Sequence, residues 1–322
     1  MDGFQTYSPK ASRMLFDGQK VSPWLDFNIE DELHTEPFQH NMQNLSISGA
    51  QEKLAAVVEE GHIRLTKEGE QSTHILKPAP MDRISLRKQI PANEHLTMQI
   101  ANQVYGIQTA VNGLCFSADG QPVYITRRFD VQKDGKKVAQ EDLCSIVGRS
   151  EQTDGAEFKY EGSYEEIAKA IRQYVPAWMP AMERFFQLLV FNYIYANGDA
   201  HMKNFSVFYY DGEPRLAPAY DLINTFVHLQ GSDLALKDGL GPSMMPSDSM
   251  ARTGHPCQDD FRRFGLEMGL PPKRVDRVLD AFMEFPPLVG QLIQKSFFFD
   301  DSTRRKYTLI IEERRKRFIR TE

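Results

Sequence analysis

Between Asn197 and Asn204 the chain reads Asn-Gly-Asp-Ala-His-Met-Lys-Asn, and two of these residues stand at a spacing that suits phosphoryl transfer. An aspartate such as Asp199 can orient a hydroxyl nucleophile and take its proton, and an asparagine five positions on, here Asn204, can offer an amide oxygen to magnesium. Asp221, in Ala219-Tyr220-Asp221-Leu222, is a further hard oxygen donor. Magnesium takes a few oxygens from protein and the rest from phosphates and water, so one Asn and one Asp suffice. Each match has a plainer reading. Asp-x4-Asn arises by chance in most chains of this length, and Asp221 also suits the cap of a helix starting at Leu222.

The same chemistry needs groups that hold phosphates. Ser46-Ile47-Ser48-Gly49-Ala50-Gln51-Glu52-Lys53 is a small-residue stretch whose backbone amides could approach a phosphate closely; a simple β-turn explains it as well. Neither G-x4-G-K-[ST] nor G-x-G-x-x-G occurs, which excludes a Walker-type loop. Lys77 ends a strand-like segment and Glu94 opens the helix that follows, 17 positions on. Either alone reads as a surface charge; together they resemble the lysine–glutamate pair of protein kinases. The full order is small-residue loop, strand Lys, helix Glu, Asp-x4-Asn, then Asp, and independent chance matches in that order are improbable. His201 reads as a structural residue that positions Asp199 or the backbone, with catalytic base or metal ligand as the other readings. No H-E-x-x-H or H-x3-H spacing supports a zinc hydrolase, and no G-x-S-x-G elbow is present.

Positioning these residues takes a sheet and a buried helix. Leu54–Val58 and His62–Leu65 read as a hairpin around Glu59-Glu60-Gly61, with further strands at His74–Lys77 and Val123–Thr126. Leu96, Ile100 and Val104 recur every fourth residue in a helix that Asn93 would cap and Gly106 would end. Helices are expected over Tyr164–Gln173, Met182–Ala196, Arg274–Phe282 and Tyr307–Arg317. The second is apolar nearly all round, which marks a helix buried in a large domain. Strands Phe205–Tyr209 and Arg215–Ala217 flank a turn at Asp211-Gly212. Residues 1–44 read as irregular. The expected organisation is an N-terminal extension over 1–44, a small β-rich lobe over 45–130 and a helical lobe over 131–322.

The chain has 322 residues, 38 Lys plus Arg against 44 Asp plus Glu, and a net charge of −6. No apolar run reaches the ~18 residues of a membrane span. The start lacks a signal-peptide pattern, and three dispersed cysteines cannot build a disulfide framework. These features point to a cytoplasmic protein that does not bind a membrane. The mild acidity argues against strong direct nucleic-acid binding. The basic run Arg314–Arg317 with Arg320 reads as the solvated last turns of a C-terminal helix.

Taken together, SISGAQEK (46–53), THILKP (73–78), Asn93-Glu94, RFD (128–130), QED (140–142), GDAHMKNFSV (198–207) and PAYDL (218–222) resemble the HipA-like serine/threonine kinases, toxins of bacterial toxin–antitoxin modules. The resemblance implies an α+β, two-lobed protein-kinase-like fold related to phosphoinositide kinases, with ATP and magnesium as cofactors. It implies Asp199 as the catalytic residue and Asn204 and Asp221 as metal ligands. ATP would be bound by Ser48, Gly49, Ala50, Gln51, Glu52, Lys53, Lys77, Glu94, Arg127, Phe129, His201 and Lys203, with 127–129 as the hinge to adenine. Ser46 and Ser48 would be autophosphorylation sites, and the protein substrate an aminoacyl-tRNA synthetase. Full-length HipA toxins carry an N-terminal domain ahead of the loop, whereas 45 residues precede Ser46 here, and the loop has the S-x-S of the shorter HipT-like subgroup. The expected partners are a small antitoxin equivalent to that domain, docking on 1–130, and a helix-turn-helix DNA-binding antitoxin. A small β-rich lobe buries little core by itself, so its sheet is expected to be left uncovered for that docking. The alternatives from other classes are a non-catalytic nucleotide-binding regulator in a repressor complex and a small-molecule phosphotransferase.

Overall fold

The structure, a computed structural model, describes residues 5–29, 52–80, 84–132 and 134–319. It divides into two compact units: residues 1–96, 110–137 and 296–299 form the first, and residues 97–109, 138–295 and 300–322 the second.

The first unit is built on an antiparallel five-stranded sheet. Helix α1 (Pro9–Phe16) precedes β1 (Leu54–Glu59), β2 (His62–Leu65) and β3 (His74–Lys77); helix α2 (Ile90–Gln103) then leads to β4 (Asn112–Phe116) and β5 (Pro122–Arg127), in the spatial order β2-β1-β3-β5-β4. Strand alternation sends Leu54, Ala56, Leu76, Cys115, Val123 and Ile125 to one face, where they form a core with Tyr7, Leu15, Phe16, Val21 and Leu25. Residues 5–29 are therefore not irregular. Ser8 caps α1 by accepting from Ala11 N at 3.2 Å, Pro9 starts it, and Leu15 and Phe16 face the sheet. The expectation of an uncovered sheet fails on this face, because the chain's own N-terminal segment covers it. That segment also pairs with the edge of β4: Leu25 N donates to Phe116 O and Phe116 N to Pro23 O, at 2.7 and 2.8 Å. Helix α2 begins at Ile90, three residues before the expected cap, and Asn93 is fully buried inside it.

The second unit contains β6 (Gln140–Asp142), α3 (Tyr164–Tyr174), α4 (Trp178–Ile194), β7 (Ser206–Tyr210), β8 (Glu213–Leu216), α5 (Gln258–Glu267), α6 (Pro272–Asp280), α7 (Pro287–Gln294) and α8 (Asp301–Phe318). Helix α4 is the buried one: Phe185, Phe186, Leu189, Val190, Phe191 and Ile194 are nearly inaccessible. Strands β6-β7-β8 form a small sheet, and the β7–β8 turn uses Asp211 and Gly212 at φ 51° and 81°, the left-handed pair that a two-residue hairpin turn requires. The basic run on α8 is only partly a solvated face: Lys316 is exposed, Arg320 lies outside the described residues, and the others are drawn inward to different extents. Arg314 is 2% exposed, lies 4.4 Å from the Phe226 ring centroid and pairs with Asp233; Arg315 donates to Met283 O at 2.8 Å. Among the described residues no helix is long and apolar enough to cross a membrane. All three cysteines are free and buried.

Candidate active site

The described residues singled out by sequence lie in both units, and each unit brings only some of them together. In the first, Lys77 meets Glu94, whereas the Arg127 side chain turns to the α1 side of the sheet, away from Lys77. Lys77 is the last residue of β3 and shares a face with its cross-strand partner Tyr124, opposite the core built on α1. Its Nζ lies 2.7 Å from Glu94 Oε1, and the two side chains are 5% and 2% exposed. The ammonium also sits 5.3 Å from the Tyr124 ring centroid. Desolvating two charges costs several kcal/mol per ion, and an apolar pair of similar volume is often as stable, so stability alone is a poor reason for this pair. Arg127 ends β5 with its guanidinium taken by Asp17 at 2.7 Å and Met14 O at 3.2 Å, and its N–H bonded to Val111 O at 2.8 Å. Phe129 follows β5 half-buried, and Glu52 and Lys53 stand half-buried just ahead of β1. Ser46, Ser48, Gly49, Ala50 and Gln51 lie outside the described residues.

In the second unit the loop after α4 is braced from several sides. The helix ends at Ile194, and Ala196 takes a left-handed φ of 53° that turns the chain. Asn197, 2% exposed, donates to Asn192 Oδ1 at 3.1 Å and to Asp221 O at 3.2 Å, which ties the loop to the segment beyond β8. Thr225 Oγ1 accepts from Gly198 N at 3.0 Å and donates to Ala196 O at 3.1 Å. Within the loop, Asp199 O accepts from His201 N at 2.8 Å and from Asn204 Nδ2 at 2.9 Å. Asp199 is itself half-buried, and its Oδ1 accepts the Tyr160 hydroxyl at 2.6 Å. Among the described residues no donor reaches Oδ2. Burial, then the neighbouring Asp199 charge, push the Tyr160 phenol far above its usual pKa, so it stays a donor.

His201 is buried, and desolvation pushes its imidazole down to about 4 against the opposing pull of Asp199. Its ring packs edge-on against Tyr160, centroids 5.2 Å apart, and its Nδ1 finds no partner among the described residues. This places the His201 ring against Tyr160, while its main-chain N–H donates to Asp199 O; the ring makes no hydrogen bond to the Asp199 carboxylate. Lys203 points to Asp142, Nζ to Oδ2 2.9 Å, with its ammonium 5.8 Å from the Phe158 ring centroid. Asp221 is half-buried with φ 57°, a left-handed conformation that Asp and Asn tolerate better than most residues. No helix starts at Leu222, so the capping role has nothing to cap.

The donor set suits a hard cation. Because the Asn204 amide nitrogen is bonded to Asp199 O, its oxygen is the atom left for another partner. Asp221 adds a carboxylate on a segment tied to the same loop through Asn197. Among the described residues no group of three His, Cys, Asp or Glu side chains could hold a metal, so a cation here would need oxygens from a nucleotide, as magnesium commonly does. Sequence reasoning missed Tyr160, the Asn192–Asn197 brace, Thr225 and the role of Asp142. A signal existed for the brace: Asn192 is the polar residue on an otherwise apolar, inaccessible stretch of α4.

Residues 45–286 match the family model described as HipA-like C-terminal domain. A Haemophilus influenzae protein named "Putative kinase" is 28% identical over 305 residues, covering 90% of this chain and 86% of that protein. "Putative kinase Y4mE" of Sinorhizobium fredii is 29% identical over 269 residues, covering 80% of this chain and 60% of that protein. Among solved structures, HipA of the Shewanella oneidensis toxin–antitoxin system, in complex with HipB and operator DNA, superposes with a TM-score of 0.66 at 20% identity. That match covers 85% of this chain and 65% of HipA, so the chain spans about two thirds of its length. The Helicobacter pylori proinflammatory kinase CtkA superposes with a TM-score of 0.52 at 13% identity, covering 82% and 93%. The fold is thus α+β and protein-kinase-like.

Proposed function

Because the chain belongs to the HipA-like C-terminal domain family, we propose that it is an ATP- and magnesium-dependent serine/threonine protein kinase and the toxin of a toxin–antitoxin module. The observation that carries this reading is the buried Lys77–Glu94 pair at 2.7 Å on the strand and helix where a kinase needs it. In the second unit, Asp199 holds an oxygen open toward an acceptor hydroxyl. Asn204 and Asp221 would hold the metal, and Lys77, kept in place by Glu94, would hold nucleotide phosphates. ATP supplies the transferred phosphoryl group and magnesium offsets the charge on its oxygens. Phe129 would face adenine, and Ser46 and Ser48 would take phosphate in the loop.

The partners belong to the same proposal. The Shewanella HipA is bound to HipB and DNA, which favours a DNA-binding antitoxin for this chain too. A net charge of −6 fits a kinase that leaves DNA contact to that partner. A small antitoxin on the first unit and an aminoacyl-tRNA synthetase as substrate complete the reading. The test is transfer of radiolabel from γ-labelled ATP by wild type and by Asp199→Asn. The variant should remain folded and bind ATP while transfer falls ~100-fold or more. Equal transfer by the two proteins would sink the assignment.

A further inference from the structure

We propose that Tyr160 is a positioning residue for Asp199: its hydroxyl fixes the carboxylate through Oδ1, so that Oδ2 is the oxygen presented to the acceptor hydroxyl. The inference rests on the kinase reading and adds a residue to it.

A carboxylate has two equivalent oxygens and a soft terminal torsion, so something must choose which oxygen faces the substrate. The 2.6 Å contact from Tyr160 is short and involves a charged acceptor, the stronger kind of hydrogen bond. Nothing else among the described residues bonds the carboxylate. Lys203, the nearby cation of the loop, is turned to Asp142. His201 packs its ring on the tyrosine and makes no ring hydrogen bond to the carboxylate. The choice therefore falls to one hydroxyl.

That hydroxyl is firmly mounted. Tyr160 closes a single 3-10 turn at Phe158–Tyr160. Main-chain bonds then zip the strip 160–165 to the strip 237–240. Lys237 N donates to Tyr160 O and Asp238 N to Gly162 O, both at 3.0 Å; Tyr164 N donates to Gly239 O at 3.0 Å and Glu165 N to Leu240 O at 2.8 Å. The side chains of Lys237 and Glu161 pair alongside. Tyr164 adds a second tie by donating to Ala200 O, beside Asp199, at 2.9 Å. The Tyr160 ring also contacts the His201 ring, and the Lys159 ammonium lies 5.0 Å from its centroid. These ring contacts survive in Tyr160→Phe, which removes the hydroxyl alone.

The experiment uses the full chain, γ-labelled ATP with magnesium, and casein and the chain itself as acceptors. Tyr160→Phe should lower kcat by about 10- to 100-fold, as for losing a hydrogen bond to a charged group, leave KM for ATP unchanged and lower Tm by no more than a few degrees. In an Asp199→Asn background the same substitution should cost nothing further, because the carboxylate it orients is gone. A wild type that labels neither acceptor overturns the kinase reading and this inference with it. An active wild type matched in kcat by Tyr160→Phe overturns this inference alone. So does an equal loss in both backgrounds, or a loss confined to KM or Tm.

Discussion

The two clusters handle charge in opposite ways. In the first unit Lys77 and Glu94 are sealed together, at most 5% exposed. In the second, Asp199 is half-buried, holds one oxygen against a neutral phenol and leaves the other without a donor among the described residues. The first arrangement fixes a charge in space at a cost in desolvation. The second leaves a carboxylate oxygen without a donor at little cost, because the tyrosine bonds the other oxygen without neutralising the group. Stability and activity should therefore respond differently to substitution in the two units.

The largest effect is expected at the sealed pair. Lys77→Met leaves a buried carboxylate without its cation, which typically costs 3–5 kcal/mol, about enough to unfold a marginal domain. Adding Glu94→Leu removes the stranded charge and should recover most of that stability, measured by urea denaturation, without recovering phosphoryl transfer. If the single variant is as stable as wild type, the pair is not the desolvated device described here. If the double variant transfers phosphate normally, Lys77 has no place in the chemistry.

At the open cluster the expected effect is on binding rather than stability. Asp221→Asn retains a side chain that accepts the left-handed φ of 57° but removes the charge. Magnesium-dependent ATP affinity should fall roughly tenfold, with Tm little changed, because a carboxylate is the stronger ligand for a hard cation. Calorimetric titration with ATP, with and without magnesium, checks this. Equal affinity in the presence of magnesium would remove Asp221 from the metal site.

The contrast also explains what could be read from sequence. The meeting of Lys77 and Glu94 was legible because one ends a patterned strand and the other lies in the patterned helix that follows. Asp199, Asn204 and Asp221 were picked out by spacing alone, on irregular segments. Strand β2 announces itself by the alternation of His62-Ile63-Arg64-Leu65, and the Glu59-Glu60-Gly61 turn marks it off from the apolar run of β1. What was not legible depends on contacts distant in sequence. Tyr160 meets Asp199 across 39 residues, and Lys203 meets Asp142 across 61. Strand β4 was missed because Asn112-Gly113 carries a turn signal inside it. Gly113 is there for a packing reason instead: a Cβ would come within 2.8 Å of Leu15 Cδ1 on α1. Helix α1 was missed because eight residues with a weak pattern declare a helix only once the sheet beneath them is known.

The smallest effect concerns pH, and it falls at the joint between α1 and β3. His74 is 4% exposed, and its ring bonds at both nitrogens, to Leu15 O at 2.9 Å and to Thr73 Oγ1 at 2.8 Å. Burial lowers its pKa, against a smaller opposing pull from the Leu15 carbonyl. The folded state therefore keeps His74 neutral at a pH where the unfolded chain already binds a proton. Wherever the unfolded state binds more protons, stability rises with pH. This contribution is complete above the ordinary histidine value of ~6.5 and is lost progressively as pH falls below it. His201 in the second unit, pushed down to about 4, acts with the same sign, so wild type should lose stability between pH 7.5 and 5 from both units. His74→Gln retains a polar side chain that cannot titrate. Its urea midpoint should fall less over that interval than wild type does, although at pH 7.5 it starts lower because the two ring bonds are imperfectly replaced. If the two proteins lose the same stability between pH 7.5 and 5, His74 is not a titrating element of the first unit, and the acid sensitivity belongs to the second unit and the remaining histidines.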